Sequence, residues 1–256
     1  MRAAVAAPPL PPLNFMAASS AALPVIRGNA LDYYLAQGYY RMQQDLFTCQ
    51  FVPFDGRLYT AHWLRLDVAR VQWGPEQSRL LRRNARFAAT VRPFRLTAEY
   101  EELYARYRES ITFDAAPTVD DVLLGGAAHN VFNTYIIELR DGNQLIAAGI
   151  FDRGDRTLAG ILNFYDPNYR KYSLGKYLLL LKTDYARRLQ FDYYYPGYVV
   201  HDYSKFDYKL FACAAATEVF DCVRSQWQPF SLAAVAAQSA ELFADWLPEN
   251  LQGSAG

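Results

Sequence analysis

The chain has 256 residues with 26 basic and 26 acidic side chains, so its formal net charge is zero. Hydrophobic residues make up 52% and charged residues 20%, which excludes global disorder because disordered chains combine low hydrophobicity with high net charge. The balanced charge also argues against a wholly basic nucleic-acid-binding protein, although it is compatible with a local basic patch. No run of about 18 apolar residues occurs, so no membrane-spanning helix is expected.

Residues 1–27 form the first segment and are rich in alanine and proline. Proline fixes φ and lacks a backbone donor, so we expect this segment to be an extended or disordered tail.

Residues 28–95 are predicted to form an N-terminal α/β subdomain. Asn29 is a suitable cap for a helix over 29–35, and Pro75 suits the first position of a helix over 76–84. Strand-like stretches over 39–50 and 57–67 flank the turn residues Asp55 and Gly56.

Residues 96–250 are predicted to form a second, C-terminal domain. Thr97 and Thr118 are expected to begin helices that end near residues 110 and 125, and a helix over 231–246 closes the domain. Strands are predicted over 131–139, 144–151, 158–165, 193–200 and 217–222, with a helix over 173–190 after the third of them. An antiparallel meander followed by a strand–helix–strand crossover is typical of the GNAT-type acyltransferase fold. We therefore expect an α+β protein with a GNAT-like C-terminal domain.

Cysteine and histidine give no framework for a disulfide or a metal site. Cys49, Cys213 and Cys222 have unrelated spacings, and the three histidines lack the spacings typical of zinc ligands. Reduced thiols are typical of cytoplasmic proteins, so we expect a cytoplasmic protein without a metal or another cofactor.

The stretch over 163–177, NFYDPNYRKYSLGKY, contains the clearest chemical signal. Ser173 is expected to cap a helix that begins there, and backbone N–H groups at a helix start favour an anion. Gly175 permits close approach of a ligand, and the nearby cations Arg170, Lys171 and Lys176 add positive charge. The spacing R-x-x-S-x-G is close to the pyrophosphate loop of GNAT enzymes, with serine in place of the first glycine. An ordinary capped helix with solvated lysines is the alternative.

Two further stretches carry weaker signals. Residues 193–209 are rich in tyrosine and contain His201, a residue type common in acid–base catalysis, although aromatic residues of this kind are more often part of a core. Residues 70–95 contain seven arginines and one acid, Glu76. Arg82 and Arg83 are candidates for nucleic-acid phosphate contact, and a solvated helix face is the alternative.

Four C-terminal stretches resemble the arginyl-tRNA–protein transferases and the bacterial leucyltransferases that act on N-terminal Asp or Glu. The matching segments are 144–149 (QLIAAG), 164–177 (FYDPNYRKYSLGKY), 195–198 (YPGY) and 205–209 (KFDYK). Residues 31–41 and 78–84 resemble upstream segments of the family more weakly. Family members usually carry an N-terminal cysteine cluster, whereas only Cys49 stands in that region here.

The resemblance implies transfer of arginine or leucine from an aminoacyl-tRNA to the N-terminal amine of an acceptor protein, which marks that protein for degradation. The tRNA 3′ end would bind Arg170, Lys171, Ser173, Gly175 and Lys176, and its acceptor stem would contact the arginines over 79–86. Asp166 or His201 would take the amine proton, and Tyr165 or Tyr208 would orient the ester. Lys205 or Lys209 would pair with an acidic acceptor side chain. The alternatives are a CoA-dependent GNAT N-acyltransferase and an inactive relative that binds tRNA or protein.

Overall fold

The computed structural model describes the backbone of residues 25–252 and the side chains up to Trp246. The helices are α1 Asn29–Ala36, α2 Pro75–Asn84, α3 Ala98–Glu109, α4 Val119–Leu123, α5 Leu174–Arg188 and α6 Leu232–Gln252. The strands are β1 Tyr40–Met42, β2 Asp45–Phe47, β3 Phe51–Phe54, β4 Arg57–Asp67, β5 Ala88–Pro93, β6 Thr134–Asp141, β7 Gln144–Arg153, β8 Thr157–Tyr165, β9 Tyr193–Val200, β10 Thr217–Asp221 and β11 Gln226–Pro229. Short 3-10 helices cover Val68–Arg70, Pro167–Tyr172, Ser204–Phe211 and Ala214–Ala216. Most of the predicted tail lies outside the described residues.

One nine-stranded sheet organises the molecule, with the strand order β11-β10-β4-β9-β8-β7-β6-β5 and β3 paired to β4. Strands β6, β7 and β8 form the predicted antiparallel meander. The pairing of β8 with β9 is parallel, as a crossover through α5 requires. The prediction of an α+β protein is confirmed.

Helices cover both faces of the sheet. Leu80 of α2 and the buried leucines of α5 pack on one face against β6, β7 and β8, and the aromatic residues of α3 pack with α4 on the other face. No helix within residues 25–252 is both long and apolar enough to cross a membrane. Strands β3, β4 and β5, which come from residues before position 96, belong to the same sheet as the later strands, and the domain boundary stays a prediction.

The local signals predicted most elements and missed some. The helices that begin after Thr97 and Thr118 and the one that begins with Pro75 are confirmed. The strand-like residues over 39–50 form a short hairpin of β1 and β2. Strands β5 and β11 were not predicted. Every residue of the edge strand β5 is exposed, so no alternation of buried and exposed side chains marks it.

A buried ion pair ties the N-terminal hairpin to the centre of the sheet. The Arg41 guanidinium lies 2.9 Å from an Asp152 carboxylate oxygen, and both side chains are almost fully buried. Thr134 donates to the same carboxylate at 2.5 Å, and a second Arg41 nitrogen donates to the Leu123 carbonyl. Burial raises the pKa of Asp152 and the Arg41 charge opposes that shift. A buried pair of this kind fixes position more than it adds stability.

Lys182 on α5 is another buried ionisable residue. The apolar pattern predicts a helix face that includes Leu189, but Leu189 is exposed and Lys182 is buried instead. Its Nζ donates to the Ile150 carbonyl at 2.7 Å and to Asn163 Oδ1 at 2.9 Å. Burial lowers the pKa of Lys182 to about 7, against the attraction of Asp152.

Replacing Lys182 with methionine is expected to reduce the pH dependence of stability. The folded protein loses the Lys182 proton near pH 7, whereas the unfolded chain keeps it up to about 10.5. The unfolded state therefore binds more protons in this window, and the free energy of unfolding rises by about 1.4 kcal/mol per pH unit. Denaturant titrations between about pH 7 and about pH 9 should give K182M a shallower slope than wild type.

The exposed Lys171→Met variant is the control for K182M and should keep the wild-type slope. An unchanged slope in K182M would mean that the buried amine stays protonated in the folded protein.

Candidate functional site

Strands β8 and β9 are paired only where they begin. Residues 157–159 pair with residues 193–195 in parallel register. Beyond that point, among residues 25–252, β8 keeps only β7 as a strand neighbour in the sheet, and β9 keeps only β4. The two strands therefore diverge toward their carboxyl ends, and the space between them is called the β8–β9 cleft below.

Pro196 and Gly197 account for this divergence. Pro196 has no N–H to donate to a ladder, and Gly197 has φ of +103°, which an L side chain rarely adopts. The next residue, Tyr198, uses its carbonyl oxygen to accept a hydrogen bond from Lys209 Nζ at 2.7 Å. A lysine side chain thus occupies the place where a strand partner would bond.

The start of α5 lies at the same edge as the open end of the cleft. Ser173 precedes the helix with φ of 52° and ψ of 47°, and its side chain does not cap the helix, so the prediction of a Ser173 side-chain cap is wrong. The serine takes the left-handed conformation that favours glycine. The atom nearest to a Cβ built on Gly175 is Cε1 of Tyr165, at 3.8 Å, so Tyr165 lies beside the first turn of α5.

A basic pocket of about 200 Å³ opens between α2 and the start of α5. Three cations line it, Arg79 and Arg83 from α2 and Lys176 from α5. Its other lining residues are Glu76, Leu80, Ser173 and Phe211. The positive end of α5 and the three cations together suit an anion of the size of one phosphate group.

Tyrosine side chains line the β8–β9 cleft. The rings of Tyr107 on α3 and Tyr165 on β8 have centroids 5.2 Å apart. Tyr194 belongs to the paired segment at the closed end of the cleft, and its buried hydroxyl lies 2.8 Å from the position of a Cβ on Gly160. Burial raises the pKa of Tyr198 to about 12 and that of Tyr107 further. The walls of the cleft are therefore aromatic and uncharged near neutral pH.

Two lysines of the 3-10 helix Ser204–Phe211 lie by this cleft. Lys209 Nζ lies 4.7 Å from the centroid of the Tyr198 ring and 4.6 Å from that of Phe206. Burial lowers the pKa of Lys209 to about 7. Lys205 Nζ lies 3.3 Å from the centroid of the half-exposed Phe113 ring, and burial also lowers its pKa, although the attraction of Asp55 opposes that change.

The predicted acid–base residues lie in different surroundings. Asp166 is 2% exposed, accepts the Asn168 N–H at 2.9 Å and the Gln144 amide at 3.3 Å, and so holds the start of the segment Pro167–Tyr172. His201 follows β9, and its backbone N–H donates to the Thr60 carbonyl of β4. Its Nδ1 lies 3.4 Å from the exposed Asp202 carboxylate.

The structure therefore divides the predicted binding residues into three groups. Ser173, Lys176 and Arg83 meet at the basic pocket. The predicted residues of the elements around the cleft are Tyr165, Gly175, Lys205, Tyr208 and Lys209. Arg170, Lys171 and Arg82 are exposed outside the pocket lining, with Lys171 and Arg83 both placed over the ring of Tyr172.

Sequence reasoning did not single out Tyr107 or Gly197, and it named Arg79 only as one of the arginines over 79–86. Arg79 and Arg83 are four residues apart on one helix, a spacing that places them on the same face. A glycine directly after a proline inside a predicted strand indicates an irregular strand. Tyr107 carries no comparable local signal, because its role follows from the packing of α3 on the end of β8.

The chain matches a family model described as arginine-tRNA-protein transferase, C terminus, over residues 99–212. The aspartate/glutamate leucyltransferase of Xylella fastidiosa strain M23 is 31% identical over 176 residues, which cover 66% of this chain and 68% of the relative. The enzyme of the same name from Nitrosococcus oceani is 32% identical over 57% of this chain and 62% of its own length.

The match to the enzyme of that name from Acinetobacter baumannii strain AYE is 30% identical and covers 57% of this chain. Here the chain spans about half of the relative, 55% of its length. Among solved structures, L-PGS from Bacillus licheniformis matches with a TM-score of 0.39 at 12% identity over 67% of this chain and 50% of that chain, a likeness too low to bear on the fold.

Inorganic phosphate is expected to bind the basic pocket at low ionic strength. Arg83→Glu reverses one of the three charges and should weaken binding at least about tenfold. Isothermal titration calorimetry measures this directly. Arg188→Glu lies about 20 Å away at the other end of α5 and should bind like wild type. Equal affinity of R83E and wild type would place the anion elsewhere.

Proposed function

The chain belongs to the family of the arginine-tRNA–protein transferases and aspartate/glutamate leucyltransferases, and we propose that it transfers leucine or arginine from an aminoacyl-tRNA to the N-terminal amine of an acidic acceptor protein. The observation that carries this proposal is the position of the basic pocket next to the open end of the β8–β9 cleft. The 3-10 helix Ser204–Phe211 borders both, since Phe211 lines the pocket and Lys209 reaches into the cleft.

The fold of the transfer region supports an acyl-transfer role. We infer a GNAT-like arrangement for β6, β7, β8, α5 and β9, because a meander leads through one helix to a parallel strand that diverges from its neighbour. A cleft between diverging strands holds an extended acyl group while the helix start holds the anionic part of the donor.

In the proposed complex the basic pocket holds a phosphate of the tRNA 3′ end. Arg79 and Arg83 bind phosphate oxygens, and the first turn of α5 adds backbone donors. The exposed cations Arg82, Arg170 and Lys171 continue the positive surface toward the acceptor stem. The aminoacyl ester then reaches into the cleft beside Tyr165 and Tyr208, whose hydroxyls orient it.

The acceptor protein enters the cleft with its amino terminus first. Lys205 at the edge of the cleft pairs with the acidic side chain of the first residue. The amine attacks the ester carbonyl, an amide bond forms, and the ribose hydroxyl leaves. The ester is already activated, so positioning of the two reactants supplies much of the rate. The product carries a new first residue, which would mark the acceptor for degradation.

Asp152 and Asp166 are poor candidates for binding a carried arginine side chain. Asp152 is fully buried against Arg41, and Asp166 is committed to the bonds that hold its own loop. The transfer assay, with leucine and arginine as the two carried residues, therefore identifies which one the protein transfers.

Purified protein is expected to move labelled leucine or arginine from its tRNA to a peptide that begins with Asp. Replacing that Asp with Asn should lower kcat/KM by about tenfold or more, because the pairing with Lys205 loses its charge. Radiolabel in the peptide, followed by mass spectrometry, measures the transfer. Acetyl-CoA serves as the competing donor, and acetylation of the peptide without aminoacyl transfer would contradict the proposal.

The double variant R79A/R83A is expected to bind aminoacyl-tRNA more weakly than wild type, and its binding should depend less on the salt concentration. Loss of two phosphate contacts should reduce the slope of log K against log salt by about 1.4 to 1.8. Fluorescence anisotropy across a salt series gives this slope. R187A/R188A removes two exposed arginines from the far end of α5 and should keep the wild-type slope. Identical slopes for the two double variants would mean that tRNA does not use the pocket.

A further inference from the structure

Lys209 occupies a confined position within the β8–β9 cleft. Its Nζ donates to the Tyr198 carbonyl at 2.7 Å and lies close to the rings of Tyr198 and Phe206. A Cβ on Gly197 would come within 3.3 Å of the nitrogen, so glycine at that position leaves the space that the amine uses. The bond to the Tyr198 carbonyl uses one of the bonding directions of the amine.

The groups around Lys209 do not supply a negative charge. No described carboxylate forms an ion pair with it, and burial is the sole cause of its lowered pKa. Titratable groups with a raised pKa around the cleft include Tyr107 of α3, Tyr194 and Tyr198 of β9, Tyr208 of the 3-10 helix, and the Cys49 thiol near Tyr198. Burial raises the pKa of each of them, so all are uncharged near neutral pH.

The charged residues of the same 3-10 helix do not neutralise Lys209 either. Lys205 also lies by the Phe206 ring, with its Nζ 5.8 Å from the centroid, and brings a like charge. Asp207 is exposed, and partial burial raises the pKa of its carboxyl. A substantial fraction of Lys209 is therefore the free amine near pH 7.

We propose, on the basis of the proposed function, that the free amine of Lys209 is the general base that takes a proton from the acceptor's α-ammonium group. The ammonium gives one proton to Lys209 Nζ, and its nitrogen forms a bond to the ester carbonyl carbon. The carbon–oxygen bond of the ester breaks, and a second proton of the nitrogen passes to the leaving ribose oxygen. The third stays on the new amide, and Lys209 later releases its proton to solvent.

Lys209 fits this role better than the two acid–base candidates chosen from the sequence. Both Asp166 oxygens accept hydrogen bonds that hold a loop, and the side chain is buried. His201 lies past the end of β9, where its backbone N–H donates to the Thr60 carbonyl of β4 and its ring Nδ1 lies 3.4 Å from the exposed Asp202 carboxylate. An α-amine has a pKa of about 7.7 to 8.0, so a base that titrates near 7 is well matched to it.

The test is the pH dependence of kcat/KM for transfer to an Asp-initiated peptide. Lys209→Arg keeps a positive charge and removes the base. We expect its activity to lie about eightfold below wild type near pH 6.5 and to approach wild type near pH 9, where the substrate amine is already deprotonated. The pKa of the acid limb of the pH profile should rise from about 7 in wild type to about 8, which is the pKa of the substrate amine itself.

Lys209→Met and Lys205→Met complete the experiment. K209M also lacks the base and should show the K209R profile, so it replaces K209R should that variant fail to fold by circular dichroism. K205M should lose preference for Asp over Asn at every pH and keep the wild-type acid limb. This contrast separates the proton-accepting lysine from the lysine that pairs with the acceptor.

Two outcomes would overturn the role of Lys209. One is a K209R profile parallel to that of wild type at all pH values. The other is full activity of K209R at pH 6.5 together with loss of Asp preference in K209M, which would make Lys209 an anion-binding residue. Either result leaves the proposed function intact, whereas absence of transfer by the wild-type protein would contradict the function itself.

Discussion

The candidate site depends on the failure of β8 and β9 to stay paired after Ala159 and Tyr195. Parallel strands of this length would normally form a continuous ladder and seal the sheet. Pro196 removes a donor, and Gly197 turns the backbone away from regular strand geometry. Lys209 then satisfies the exposed Tyr198 carbonyl without closing the space. A cleft thus exists within the sheet at little cost in unsatisfied backbone groups.

Buried polar contacts keep the β8 side of this cleft in place. Lys182 connects α5 to the Ile150 carbonyl of β7 and to Asn163 of β8, so the helix and the two strands share one buried cation. The Arg41–Asp152 pair fixes the β1–β2 hairpin to the same strand β7. Such groups cost desolvation energy and are strongly destabilising when one partner is lost. They therefore hold one arrangement of helix, strand and hairpin around the site.

Local sequence signals predicted much of the fold and part of the site. Pro75, Thr97 and Thr118 mark helix starts by their own chemistry, and the basic residues around Ser173 identified one wall of the pocket. The other wall, with Arg79 and Arg83, needed the packing of α2 against α5. The cleft was not predictable, because Tyr107, Tyr165 and Tyr198 come together only when distant elements meet. The burial of Lys182 contradicts the apolar pattern of its helix, and a non-local network explains it.

The 3-10 helix Ser204–Phe211 connects the basic pocket to the β8–β9 cleft. Phe211 and Lys209 are two residues apart, so one short rigid element separates the basic pocket from the amine in the cleft. In the proposed reaction the pocket must attract phosphate and the cleft must not. A fully charged lysine in the cleft would compete with Lys176 for the tRNA backbone, because both lie near the same helix. Desolvation of Lys209 weakens that competition by favouring its neutral form, and the same neutral amine is the form that accepts a proton.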